Sequence, residues 1–328
     1  MQQNLINFNY VGCFRSIGTL ENNNTCSFSI DMGIEAPYLK NHLVPQLNSI
    51  KHLEREEVLD LSFRNREKYI DNGAGEKLET ILSFIQKMET NERNLRERIG
   101  CEFVCGRGLL VKLSKNCSVD FRAVRRKDVI FLCVTSQFYK YDKNSHISMK
   151  FEKSMTEDPY YMQATNNMRV IWTGIRTKIV NQLHFVGTDL SVLSSAETDS
   201  RNPNDDKIVE LKMTRKPREI RKHSLKEYMQ CFLSNTDYIL TASLKDENRR
   251  LEIYELEMEH RDHRMEDFGE VESGVARIRR NLEQLRNLLS ENDRAIHVRK
   301  ITENGLIYDE IEADDCEFVP DDFLVDFE

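Results

Sequence analysis

The triplet Glu210-Leu211-Lys212 carries the first sign of chemistry in this chain. Side chains alternate along a strand, so Glu210 and Lys212 share one face with Leu211 on the other. A carboxylate beside an ammonium on a rigid strand suits phosphodiester cleavage. The carboxylate binds a divalent cation, while the lysine holds the scissile phosphate or orients the attacking water. The same spacing also describes an ordinary surface ion pair, so a metal site needs further oxygen ligands. Asp189 lies 21 residues before Glu210, on a strand expected to neighbour it. Glu152 would come from a helix in His146-Ile147-Ser148-Met149-Lys150-Phe151-Glu152. The expected catalytic set is therefore Glu210, Lys212 and Asp189, with Glu152, Asp189 and Glu210 as metal ligands.

Elements must hold these groups. Leu78, Ile81, Leu82 and Ile85 fall on one helical face within Glu76–Glu89, after the turn Asn72-Gly73-Ala74-Gly75. Cys101–Leu113, with Gly106 and Gly108, reads as a bent strand or a strand entering a tight loop. Val129–Val134 is a continuous apolar run that suits a buried strand. Phe185–Leu190 and Lys207–Lys212 read as neighbouring strands, joined across the polar turn Asn202-Pro203-Asn204-Asp205. A short helix over His223–Leu233 follows, then strands at Tyr238–Ala242 and Leu251–Leu256. Val271, Val275, Ile278, Leu282, Leu285 and Leu289 form a heptad-like stripe, too short to favour a coiled coil over a helix packed on its own sheet. Glu303-Asn304-Gly305 signals a hairpin between His297–Ile301 and Leu306–Ile311.

Composition bounds the reading. With 39% hydrophobic and 31% charged residues and only 6 prolines, the chain is of globular type. It shows no repeat and no low-complexity linker, so one domain over residues 1–328 is expected, with a divergent part at 1–70. No apolar run nears the roughly 20 residues of a membrane helix, and the beginning does not resemble a secretory signal. The 8 cysteines include no Cys-x-x-Cys pair, which argues against zinc and for reduced thiols in the nucleus or cytoplasm. The net charge of −8 is unevenly spread: residues 303–328 hold 11 acidic side chains and no Lys or Arg, leaving +3 elsewhere. That acidic stretch is expected to be folded strand. Basic density peaks at Lys212–Lys226, with a smaller cluster at Arg122, Arg125, Arg126 and Lys127, as phosphate binding would require.

An Asp on one strand and Glu-x-Lys on the next is the core pattern of restriction-endonuclease-like nucleases, and further blocks sharpen the likeness. Glu102–Leu113, containing Cys105-Gly106-Arg107-Gly108, is similar to the Arg-Gly motif of the DXO-like decapping exoribonucleases. Lys150-Phe151-Glu152 resembles the end of that family's helix motif, Asn167–Arg176 its Asn-x-x-Phe-x-x-x-x-Arg segment, and Val209–Thr214 its Glu-φ-Lys-Thr block. Leu225–Leu233 looks like the helix that follows, and Glu76-Lys77-Leu78 like an upstream Glu-Arg-Leu helix start. The blocks keep the family's order over roughly residues 70 to 325. The resemblance implies an α+β fold with mixed sheets flanked by helices. It also implies a Mg²⁺- or Mn²⁺-dependent hydrolase acting on RNA 5′ ends that are incompletely capped, triphosphorylated or NAD-capped, and degradation of the chain 5′ to 3′. Glu152, Glu210 and the Leu211 carbonyl would hold metal, and Lys212 and Gln230 the scissile phosphate. Arg107, beside Gly108, and Glu76 would contact the RNA 5′ end. The family's habit of docking onto a 5′-to-3′ exoribonuclease makes such an enzyme an expected partner of a monomeric chain.

One block departs from the pattern. Where Gly-Glu-x-Asp is expected, Gly187-Thr188-Asp189-Leu190 stands. In strict register Thr188 and Leu190 replace both carboxylates and the site is crippled. With a one-residue slip, Asp189 takes the aspartate's role. The alternative function is accordingly an impaired relative that binds RNA 5′ ends or a partner exonuclease without cutting. Trp172, the sole tryptophan, is either a stacking platform for the terminal nucleotide or a core residue.

Overall fold

The computed structural model describes residues 5–20, 26–54, 56–61, 76–135, 143–157, 174–215, 225–247, 250–264 and 268–328. They form an α+β fold with two mixed sheets and seven α-helices. The larger sheet has nine strands. From one edge to the other they are β15 (Gly305–Ile311), β14 (Ala295–Thr302), β6 (Cys117–Arg126), β7 (Val129–Val134), β5 (Phe103–Gly106), β9 (Ser191–Glu197), β8 (Gly174–Phe185), β1 (Ile6–Leu20) and β2 (Cys26–Met32). Its centre, β7-β5-β9, is parallel. A parallel centre is covered on both faces, which is why the run at Val129–Val134 is apolar without alternation and buried at every position but the last.

The second sheet runs β10 (Ser200–Arg201), β11 (Ile208–Thr214), β12 (Tyr238–Glu247), β13 (Arg250–His260) and β3 (Ser49–His52), with β4 (Leu59–Asp60) also on β13. The chain passes from the first sheet to the second between Glu197 at the end of β9 and Ser200 at the start of β10.

Helices cover the sheets. One core joins the large sheet to α3 (Arg107–Leu113), α5 (Leu225–Leu233) and α6 (Phe268–Leu288), whose stripe Val271, Val275, Ile278, Leu282 and Leu285 is buried there, as expected of a helix packed on its own sheet. A second core takes α1 (Glu79–Lys87), α2 (Leu95–Ile99) and the acidic C-terminal stretch, which buries Phe318, Phe323 and Phe327 from around α7 (Asp321–Val325). A third, under the small sheet, receives Phe151 and Met155 of α4 (Lys143–Met155). The Glu303-Asn304 hairpin closes β14 on β15, with Gly305 at φ +118°.

Three expectations change. The first is the acidic stretch, which is strand only as far as Ile311 and then helical at Ala313–Asp315 and Asp321–Val325, because its phenylalanines turn inward. Cys101–Leu113 is not a bent strand: β5 ends at Gly106 and α3 begins at Arg107. The glycines misled, because Gly108 lies inside the helix with nothing near its Cβ position, and only Gly106 is extended, at the N-cap. Phe185–Leu190 is not a strand either. β8 ends at Phe185, Gly187 takes φ +78° in the turn, and β9 starts at Ser191. The strand after that turn pairs with β8 and β5, and the partner of Glu210's strand on this side is β10.

Candidate active site

Glu210 and Lys212 do share a face of β11. Lys212 Nζ donates to Glu210 Oε1 at 2.5 Å, and Glu210 is 5% exposed. Arg107, first residue of α3, brings Nη1 to 3.6 Å from the other Glu210 oxygen, so each carboxylate oxygen faces one cation. Burial alone would raise the Glu210 carboxyl, but Lys212 and Arg107 hold it below the usual range, and Glu210 raises Lys212 in return. This carboxylate is ionised at neutral pH.

Asp189 is elsewhere. Its side chain is 84% exposed and accepts from Arg286 Nη1 at 2.9 Å, in an ion pair that keeps its carboxyl low. Leu190 packs in the core beneath α6. Both registers considered for Gly187–Leu190 therefore fail, since the turn of Gly187 lies at the far end of β9 from the site. The acids come instead from Glu197-Thr198-Asp199, an unaltered Glu-x-Asp where the chain crosses between sheets. Asp199 Oδ2 accepts the backbone N–H of Leu211 at 2.7 Å, which ties the crossing to the strand of Glu210 and Lys212. Glu197 Oε2 accepts from Arg176 Nη1 at 3.0 Å, and its backbone carbonyl accepts from Arg107 Nη1 at 3.4 Å. Sequence reading missed Glu197 and Asp199 because it anchored the motif on a glycine. Here Ala196 precedes the pair, and the findable signal was the literal Glu-x-Asp 11 residues before Glu210.

Glu152 on α4 joins this group as expected. Burial raises its carboxyl well above the ordinary value, and Asp199, Glu197 and Glu210 add repulsion, offset in part by Arg176. Asp199 is pushed up to about 7 by burial, then by Glu210 and Glu197, against Lys212. Four carboxylates from α4, β9, the crossing and β11 thus neighbour one another, Glu210 buried and the other three partly so, and burial with mutual repulsion raises the carboxyls of Glu152 and Asp199. Hard oxygen donors that repel one another are a donor set suited to Mg²⁺, Mn²⁺ or Ca²⁺. Among the described residues no three His, Cys, Asp or Glu side chains converge on a single point at ligating distance. Lys212, Arg107 and Arg176 hold the acids in separate ion pairs instead. Leu211, expected to offer its carbonyl, is buried in the β11–β12 ladder opposite Leu240.

Beside this group lies a second polar set. Glu76, just before α1, accepts from Lys178 and Thr80 and lies 3.5 Å from Ser16 Oγ. Lys178 is opposite Glu197 and Arg176 opposite Ser16 in the strand ladders, so Glu76 sits one strand from the carboxylates and not among them. Gln230 lies on α5, whose following residue Ser234 contacts Arg107. Trp172, Asn167 and the basic residues Lys216, Arg218, Arg221 and Lys222 fall outside the described residues. A separate cavity of about 310 Å³ is lined by Tyr10, Ile179, Asn181, Thr198, Arg201 and Ile208, among others, but by none of the four carboxylates. Its main cation, Arg201, is already paired with Glu35 and Asp206.

A Glu-x-Asp crossing and a Glu-x-Lys strand meet at the carboxyl ends of β5 and β9. The match of the RAI1 like PD-(D/E)XK nuclease family to residues 24–323 places the chain in that family. The fold is similar to Rai1 of Scheffersomyces stipitis, with a TM-score of 0.64 at 15% identity over 98% of this chain and 96% of that one. A structure of the same protein with (3′-NADP)⁺ and calcium ion gives 0.63 at 14%, with the same coverage. Rai1 of S. pombe with 3′-FADP gives 0.59 at 15%, covering 94% and 95%. Rai1 of Candida albicans with pU5 and Mn²⁺ gives 0.60 at 11%, covering 96% and 92%. A comparison with curated protein sequences found no match.

Proposed function

We propose that this chain is a divalent-metal-dependent hydrolase of RNA 5′ ends, which removes incomplete or nicotinamide-type caps and then degrades the RNA 5′ to 3′. The carrying observation is the cluster of Glu152, Glu197, Asp199 and the buried Glu210 beside Lys212. Relatives of the same fold bind a dinucleotide with calcium, or a 5′-phosphorylated oligouridylate with Mn²⁺. Mn²⁺ or Mg²⁺, held by those four carboxylates with the Leu211 carbonyl, would supply an activated water and charge neutralisation at phosphorus. Lys212, kept protonated by Glu210, donates to a phosphate oxygen whose negative charge grows in the transition state. Arg107 and Gln230 orient the phosphate from the other side, and Glu76 with Lys178 lies where the 5′-terminal nucleotide would follow. Binding to a 5′-to-3′ exoribonuclease, and residence in the nucleus or cytoplasm, belong to this same reading.

The test is turnover of 5′-triphosphate, NAD-capped and 5′-monophosphate RNA with Mn²⁺ or Mg²⁺. Glu210→Gln and Asp199→Asn should each lower the rate by about 10²-fold or more, while Asp189→Ala should leave it unchanged. Wild-type protein that leaves all three RNAs intact would overturn the proposal. The non-catalytic alternative drew on Thr188 and Leu190, which lie outside the carboxylate group.

A further inference from the structure

Arg107 has to hold one place against Glu210, yet its guanidinium ends a long and otherwise free side chain. Nη1 donates to the Glu197 carbonyl at 3.4 Å and to Ser234 Oγ at 3.4 Å, and pairs with Glu210 Oε2 at 3.6 Å. Ser234, just beyond α5, is fully buried. Its hydroxyl has one proton and two lone pairs. The hydroxyl reaches the Gln230 carbonyl at 2.8 Å and the Cys231 carbonyl at 3.2 Å as a donor, shares a hydrogen bond with the Thr236 hydroxyl at 2.8 Å, and accepts from Arg107 at 3.4 Å. The Ser234 carbonyl in turn accepts from Asn181 Nδ2 at 3.3 Å, and Asn181, on β8, is 3% exposed.

We infer that Ser234, supported by Thr236 and Asn181, is a positioning residue that sets Arg107 and the Gln230 end of α5 for a 5′-phosphate group. One hydroxyl touches both elements that reach the phosphate, while its backbone is pinned to the strand next to β9. Burial makes the arrangement costly to disturb, because a buried polar group left without its partner is destabilised. The inference rests on the proposed function, since it assigns Arg107 and Gln230 to the substrate.

The experiment compares binding of 5′-monophosphorylated and 5′-hydroxyl oligouridylate by fluorescence anisotropy in Ca²⁺. Wild-type protein should prefer the phosphorylated strand. Ser234→Ala should reduce that preference by about tenfold, keep the affinity for the 5′-hydroxyl strand and keep the stabilisation by Ca²⁺. In an Arg107→Ala background, Ser234→Ala should cost clearly less, leaving only the part that acts through Gln230. Thr236→Val, which deletes only the supporting hydroxyl, should give a smaller loss of the same kind and serves if Ser234→Ala fails to fold. An unchanged phosphate preference in the folded variants, or an equal loss without Arg107, overturns the inference alone. A wild-type protein with no preference for the phosphorylated strand overturns the function proposed above and this inference with it.

Discussion

At the scale of single residues, Asp199 is the most informative group. Its carboxyl is pushed from 3.8 to about 7 by burial and by its neighbours Glu210 and Glu197. A raised value in the fold means that protonation favours the folded state. Without metal, the contribution of this carboxyl to stability should therefore be present below about pH 4 and be lost as pH rises to about 7. Each tenfold of added proton affinity corresponds to about 1.4 kcal/mol. Asp199→Asn should raise the metal-free unfolding midpoint at pH 8 by a few degrees, on the order of 2–4 °C, and abolish the further rise given by Mn²⁺. Calorimetry at pH 5 and 8, with and without Mn²⁺, checks both. Because the acids must lose protons to take a metal, Mn²⁺ affinity should climb as pH rises from about 5.5 to about 8, and an affinity flat over that range would contradict this assignment. Asp189 makes the opposite case: its ion pair to Arg286 is exposed, so Asp189→Ala should shift neither the midpoint nor metal binding measurably.

Among the elements, β9 and the hairpins carry the precision. β9 runs parallel to β5 and delivers Glu197 beside the start of α3, so one pair of strands places both an acid and Arg107. The β14–β15 turn shows how narrowly such elements are set. Gly305 sits at φ +118°, and a Cβ there would lie 2.4 Å from Gln284 Oε1, the atom that accepts the Leu306 N–H at 3.0 Å. Gly305→Ala should lower stability by about 1–3 kcal/mol in urea unfolding, with no loss of hydrolysis once the protein is folded. In α6, Ile278 and Leu282 are fully buried, and Leu282→Ala should cost about 2–5 kcal/mol.

For the whole molecule, charge and packing give different accounts of the acidic C-terminal stretch. If it were a loose polyanion, its removal would chiefly strengthen RNA binding. Instead Phe323 stacks edge-on against Phe131 with centroids 6.1 Å apart, and Phe327 lies 5.0 Å from Phe323, all in the second core. Deleting residues 321–328 should therefore lower the thermal midpoint sharply, and Phe323→Ala alone should lose about 3–5 kcal/mol. A truncated protein with an unchanged midpoint would show that the stretch serves charge alone. No helix among the described residues is long and apolar enough to cross a membrane.

The sequence by itself determined the elements whose periodicity is strong: the helix of the Val271–Leu289 stripe, the strand Val129–Val134 and the hairpin at Asn304-Gly305. It also determined Glu210 with Lys212, because a two-residue spacing on a strand fixes a shared face whatever surrounds it. Glu152 was legible only through its neighbours Lys150 and Phe151, which resemble a family block. Tertiary structure alone decided which acid completes the group. Asp189 and Asp199 each precede Glu210 at a plausible distance, and local pattern cannot tell a turn at Gly187 from a strand there. The choice was made by the crossing of the chain from one sheet to the other, where the Leu211 N–H meets the Asp199 carboxylate. That contact continues the β10–β11 pairing, and the place where a chain leaves one sheet for another leaves no period in a single sequence.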